Sequence, residues 1–193
     1  MVFNSRTYRV LIVSDSERFN EVLSGLLPEG HYFPVLFAAT IREARKEIAS
    51  ENADIVLINA PLPDDYGTAF AIEISETTSS GVLFLVNREY YEETAERVSA
   101  YGVFTVAKPT TAARISEYMQ MMCAMRERIR RMDEKRLKAE QDAKVLRLVN
   151  KAKWRLIETR SMTETEAQRF IEKRAMDERR SRESIAREIL GGT

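Results

Sequence analysis

Along the first two-thirds of the chain, apolar positions follow two different spacings by turns. Tyr8–Val13, Tyr32–Ala38 and residues 54–59, 82–86 and 104–107 are short, nearly unbroken apolar runs. Such runs are the pattern of strands buried on both faces of a parallel sheet. Between them the spacing is helical. Phe19, Val22, Leu23 and Leu26 form one stripe, ended by Pro28-Glu29-Gly30. Ile41, Ala44 and Ile48 form a second, opened by Thr40 with Glu43 three residues on, the signature of a capping box. Residues 67–76 and 90–101 supply two more helices, with Pro61-Leu62-Pro63-Asp64-Asp65 as a loop and Lys108-Pro109 closing the fifth strand. Strands alternating with helices at this spacing predict an α/β domain, a doubly wound five-stranded parallel sheet.

From about Thr111 the pattern changes. Ile115, Tyr118, Met122, Met125, Ile129, Met132, Arg136, Ala139, Ala143 and Leu146 step out a three-four spacing in which only Arg136 is polar. A seam with a 3.5-residue period packs against a copy of itself as a left-handed coiled coil. The expectation is a parallel homodimer through Ile115, Tyr118, Met122, Met125, Ile129 and Met132, loosened at Arg136 by the cost of burying a cation. The helix runs on through Ile157 to a break at Ser161-Met162-Thr163. Thr163 with Glu166 then caps a helix carrying Ala167, Phe170, Ile171 and Ala175, and Ser181 starts a last one with Ile185, Ala186, Ile189 and Leu190 inward. The predicted organisation is a domain over 1–122, a coiled-coil helix over 112–146 and an all-α three-helix C-terminal domain over 143–193.

Composition narrows the classes. Hydrophobic residues make up 44% of the 193, enough for a core, and the single cysteine, Cys123, excludes a disulfide framework and is expected to be a free thiol. The N-terminus has no signal-peptide pattern and no apolar run is long enough to span a bilayer, so a cytoplasmic, non-membrane protein is expected. Net charge is zero but segregated. Residues 1–120 carry 10 Lys/Arg against 17 Asp/Glu, residues 121–143 carry 7 against 5, and residues 144–193 carry 13 against 8. A basic tail behind an acidic front points to a polyanion at the tail. No Ser/His or Cys/His pairing, Walker-type loop or dinucleotide fingerprint is present, so neither an enzyme nor a cofactor or metal is expected.

Ligands of doubly wound sheets gather at the carboxyl ends of the strands. Those ends carry Ser14-Asp15, Asn59, Val86-Asn87 and Lys108. In strand order, in Asp15 after the first strand, in a polar residue before Pro61 and in Lys108-Pro109, residues 7–122 resemble the response-regulator receiver family. The resemblance implies two acids after the first strand for Mg²⁺, a phosphoacceptor Asp ending the third, and a hydroxyl residue and a Lys contacting the phosphate. Asp15 and Lys108 fit. Ser14 stands at the first acid, Asn59 at the phosphoacceptor, Val86 at the hydroxyl, and Thr105 where an aromatic is expected. An amide is too weak a nucleophile for phosphoryl transfer, and Mg²⁺ prefers several carboxylate oxygens. A receiver fold that cannot be phosphorylated is therefore expected, answering to a regulatory protein or small molecule, with Lys108 a structural partner of Asp15. Asp64 and Asp65, as displaced acceptors, lie beyond the strand. His31, beside a Gly in a turn, reads as a surface residue.

Ala152-Lys153, Met162 to Ala167, Arg174-Ala175-Met176-Asp177 and Ile185-Ala186, at their spacing, resemble the ANTAR domain of transcription antitermination regulators over about 143–190. That resemblance implies binding of paired hairpins in an mRNA leader, which keeps a competing terminator hairpin from forming. Lys151, Lys153, Arg155, Arg169, Lys173 and Arg174 are the candidate RNA-binding cations, since hairpin loops are read by phosphate contacts and splayed bases. Trp154, where the family commonly has Gly, could stack on a base, but a lone Trp at a helix junction is more often core, and it is assigned there. Gln168 replaces a frequent aromatic. Two other readings compete: a DNA-binding regulator using the last helices as a helix-turn-helix, and a coiled-coil scaffold without nucleic acid. Arg179-Arg180-Ser181 offers no tight Gly turn for the former, and the basic tail speaks against the latter.

Overall fold

In a computed structural model, which describes residues 7–191, the chain divides into two compact units between Ile129 and Arg130. The first contains β1 (Tyr8–Val13), α1 (Glu17–Leu26), β2 (Tyr32–Ala38), α2 (Ile41–Ser50), β3 (Ile55–Asn59), α3 (Thr68–Thr77), β4 (Gly81–Asn87), a 3₁₀ turn Arg88–Tyr90, α4 (Tyr91–Ser99), β5 (Phe104–Lys108) and the first part of α5 (Ala112–Arg160). The five strands are parallel in the order β2-β1-β3-β4-β5. Successive side chains point to opposite faces, so one run of residues feeds two cores. Leu11, Val13, Val56, Ile58, Phe84 and Val86 pack against α2, α3 and α4 through Ala44, Phe70, Ile74 and Val98. Val10, Ile12, Ile55, Leu57, Leu83 and Leu85 pack against α1 and α5 through Leu23, Ile115, Met119 and Met122.

Local chemistry fixes the helix starts. Thr40 Oγ1 accepts from the Glu43 amide at 3.2 Å, as predicted, but Glu43 reaches the Ala39 amide instead of closing a box on Thr40. The α2 N-terminus is completed from elsewhere: Asp64 accepts from the amides of Ile41 and Arg42, both at 3.1 Å. Asp65 accepts from the Gly67 amide at 2.7 Å. Gly67 itself, at φ 100°, lies so close to Ile58 and Phe84 that a Cβ would stand 3.3 to 3.4 Å from their side chains.

The predicted dimer seam is corrected at its N-terminal end. Ile115 is 4% exposed and Met122 fully buried, both inside the sheet's own core, and Tyr118 packs edge-on against Phe104 with ring centroids 6.0 Å apart. These residues cover β-strands and are not available to a second copy. Met125 and Ile129 are half-buried, and Met132 is exposed. The end of this stretch is tied down by Arg126, whose guanidinium pairs with Asp54 at 2.9 Å and donates to the Ser79 carbonyl.

In the second unit the last turns of α5 pack with α6 (Glu164–Asp177) and α7 (Arg182–Ile189). Val149, Ala152, Leu156, Ala167, Ile171, Ala175, Ile185 and Ala186 form its core. The capping box of Thr163 and Glu166 is present in full, and Ser181 caps α7. Arg174 and Arg180 each pair with both Glu178 and Glu188, fastening α6 to α7. Trp154 is not in this core: it is 65% exposed. Val149, Ala152 and Leu156 set the inward stripe, and a residue midway between Ala152 and Leu156 lies on the opposite side of the helix. Among the described residues no helix is long and apolar enough to cross a membrane.

Candidate functional site

The carboxyl ends of β1, β3 and β5 bring Ser14, Asn59 and Lys108 together, as the sequence predicts. Ser14 and Asn59 are buried, and Lys108 is half-buried. Lys108 Nζ donates to Asn59 Oδ1 at 2.8 Å and to the Ala60 carbonyl. An ammonium has donors only, so the amide must turn its oxygen toward Lys108 and its NH₂ away. That NH₂ donates to Ser14 Oγ at 3.0 Å. Ser14 Oγ also accepts from the Ser16 amide at 3.2 Å. The two residues that depart from the receiver pattern thus satisfy one another, and Asn59 also accepts from the lysine.

Asp15 is exposed and makes no hydrogen bond to Lys108, which corrects the expected pairing. It acts on the amine only through space: burial lowers the Lys108 pKa from its ordinary value, and the charge of Asp15 opposes that shift. Val86 is fully buried in the apolar layer and offers no hydroxyl. Thr105 Oγ1 is buried without a hydrogen-bond partner among the described residues. Asp64 and Asp65 are engaged in the backbone contacts that start α2 and α3. Of Asp15, Asp64 and Asp65, only Asp15 is outside such backbone contacts. The donors do not suit Mg²⁺, which needs several hard oxygens, because the Asn59 oxygen already receives the lysine and the Ser14 oxygen receives an amide and the Asn59 NH₂.

At the opposite, amino end of β1 and β2, a hollow of about 430 Å³ is walled by Tyr8, Leu26, Tyr32, Met119 and Cys123. Cys123 Sγ lies 3.7 Å from the Tyr32 hydroxyl, and burial pushes the pKa of both groups up. His31 also lines this hollow and is half-buried, where a surface position was expected.

In the tail, four of the six predicted cations are open. Lys151, Arg155, Arg169 and Lys173 are exposed. Lys153 is not: its side chain is 14% exposed and its amine meets Glu164 at 3.1 Å. Arg174 is half-buried and spent on Glu178 and Glu188. The structure adds Arg147 and Arg160, which spacing alone did not single out, and brings Trp154 to the surface. Arg147 is exposed, and so is Trp154. Arg160 lies over the Phe170 ring at 5.2 Å, beside Arg169 and Lys173 in a shallow hollow where α5 turns into α6. Ser161 makes that turn with φ 52°, a left-handed conformation more easily held by Gly.

Comparison with known proteins agrees with this architecture. The model of the response regulator receiver domain matches residues 10–120, and that of the ANTAR domain matches residues 137–190. Among solved structures, the signal receiver domain of an HD domain-containing protein from Pseudomonas fluorescens Pf-5 is similar at 19% identity. That match has a TM-score of 0.59 and covers 68% of this chain and 97% of that one. NtrX from Brucella abortus is similar at 20% identity and TM-score 0.58, over 67% of this chain and 29% of its own. Chemotaxis protein CheY4 of Vibrio cholerae is similar at 22% identity and TM-score 0.53, over 61% of this chain and 99% of its own. At these identities the likeness establishes the receiver fold. No curated protein matches.

Proposed function

Since the chain belongs to the response regulator receiver family and carries an ANTAR domain, we propose that it is an RNA-binding regulator of transcription antitermination, a cytoplasmic protein and not an enzyme. The observation that carries this reading is the match of residues 137–190 to the ANTAR domain, on a tail whose Lys151, Arg155, Arg169 and Lys173 are open to solvent. Such a tail neutralises phosphates and reads the unpaired bases of hairpins in an mRNA leader. Bound there, it keeps the terminator hairpin from forming.

The receiver half of the proposal is a domain that does not use phosphorylation. The hydrogen bonds linking Ser14, Asn59 and Lys108 support it, because they occupy the place of a nucleophile with an amide already engaged on both sides. Its input is a partner protein or small molecule; the apolar hollow beside Tyr32 and Cys123 offers a place for the latter. Assembly is as a parallel homodimer. With Ile115 and Met122 committed to the receiver core, the seam lies farther along α5, where Met132 and Leu146 are about 60% exposed.

The test is to sequence RNA that co-purifies with the full chain and measure binding of the recovered leader at two salt concentrations, with duplex DNA of the same sequence as competitor. Tight, salt-dependent binding to the leader alone is expected. Preference for duplex DNA transfers the reading to a DNA-binding regulator, and binding to neither refutes it.

A further inference from the structure

Trp154, the chain's single tryptophan, stands in the last turns of α5. The structure leaves that side chain out of the core, 65% exposed on the outer face of α5. Its surroundings are basic except for Glu158, exposed one turn farther along the same face. Arg147 and Lys151 stand seven and three residues before it, on the same face of the helix, and Arg155 follows it. All three are exposed, and none forms an ion pair among the described residues, in contrast to Lys153, Arg174 and Arg180 of the same unit. The rotation of the helix is fixed by Val149, Ala152 and Leu156, which are buried on its other side. A bare indole is thus held facing out among three uncommitted cations.

We propose that Trp154 is a base-stacking platform: an unpaired base of the bound RNA lies on its indole, while Arg147, Lys151 and Arg155 neutralise the neighbouring phosphates. The inference rests on the RNA-binding reading and adds the residue that reads a base. Stacking on an aromatic face suits any splayed base and is how single-stranded segments are gripped. A second copy of the chain is disfavoured as the occupant of this face, because it would bring a like set of cations against the first. A lipid surface is disfavoured because an interfacial helix needs a broad apolar face, and here the indole stands between charges.

The chain has a single tryptophan, so its fluorescence reports this residue alone. The full-length protein is titrated with two labelled RNAs: a hairpin with an all-adenine loop, and a blunt duplex of the same stem without a loop. Binding is followed by anisotropy of the label and, independently, by tryptophan emission. The hairpin is expected to bind and quench Trp154, and the duplex to bind with little quenching. Trp154→Ala should weaken hairpin binding about five- to hundredfold and leave duplex binding, circular dichroism and sedimentation unchanged, while Trp154→Phe recovers most of the loss. Hairpin binding without quenching and unchanged in Trp154→Ala overturns the stacking role and leaves the RNA reading intact. Loss of self-association in Trp154→Ala, or a blue shift on anionic phosphatidylserine vesicles with no response to RNA, overturns it in favour of a second copy or a membrane. Absence of RNA binding by anisotropy defeats the functional reading and this inference together.

Discussion

At the residue scale, Asn59 decides the chemistry of the receiver end. Its amide joins Ser14 to Lys108 and carries no charge to attack a phosphoryl group. Incubation with acetyl phosphate should leave the intact mass unchanged; an acid-labile adduct on Asp15, Asp64 or Asp65 would contradict the proposal. Lys108 supplies a second expectation. Its folded pKa lies below its unfolded value because burial disfavours the ammonium. The unfolded chain therefore holds this proton more tightly, and the group's contribution to stability is smallest below the folded pKa and grows as pH rises toward the unfolded pKa of about 10.4. Lys108→Met has no such group. Urea unfolding of both proteins from neutral to alkaline pH should show the wild type gaining on the variant as pH rises. A difference that stays flat or shrinks would mean that the amine is not held against its charge.

At the element scale, α5 separates what the sequence discloses from what it conceals. Met122 and Met132 belong to one apolar spacing, yet Met122 is fully buried and Met132 is 60% exposed. Met122→Ala should destabilise the receiver by about 2–5 kcal/mol, the usual cost of a large-to-small change in a core. Met132→Ala should change its unfolding by about 0.5 kcal/mol or less while weakening self-association in sedimentation. Equal effects of the two would mean that both lie in one continuous seam. All five strands were legible because each is a run of apolar residues too short for a buried helix, and the helices between them were legible from stripes and caps such as Thr40 and Thr163. The beginning of the seam was not, because periods of 3.5 and 3.6 diverge too little over four turns to tell a sheet-facing stripe from a partner-facing one. Capping of α2 by Asp64 was hidden because it joins residues 23 apart in sequence. Of the candidate site, the meeting of Ser14, Asn59 and Lys108 was legible from strand ends. The pairing of Lys153 and the exposure of Trp154 were not, since charge counts do not reveal which cations have neighbours and a lone indole carries no periodicity.

At the scale of the whole molecule, charge is sorted along the chain, with the excess of cations in residues 144–193. Each tail offers only a few open cations, so one tail on one hairpin should bind weakly, and more weakly still as salt rises. A dimer presenting two tails to tandem hairpins gains the high effective concentration of an intramolecular second contact. RNA with two hairpins should therefore bind at least tenfold more tightly than RNA with one, and reversing Arg155 and Lys173 to Glu should weaken both. Equal affinity for one and two hairpins would remove the avidity argument, and indifference to charge reversal would place the RNA elsewhere.

The hydrogen bonds between Ser14, Asn59 and Lys108 bear finally on time. A phosphorylated switch keeps its state after the kinase has left, for as long as the acyl phosphate resists water, so it works as a memory with its own clock. On the proposed reading, a receiver closed by the hydrogen bonds among Ser14, Asn59 and Lys108 stores no covalent mark and needs no phosphatase. Its state lasts as long as its partner or ligand stays bound, and the lag between a falling signal and a falling transcript is then set by a dissociation rate and not by hydrolysis.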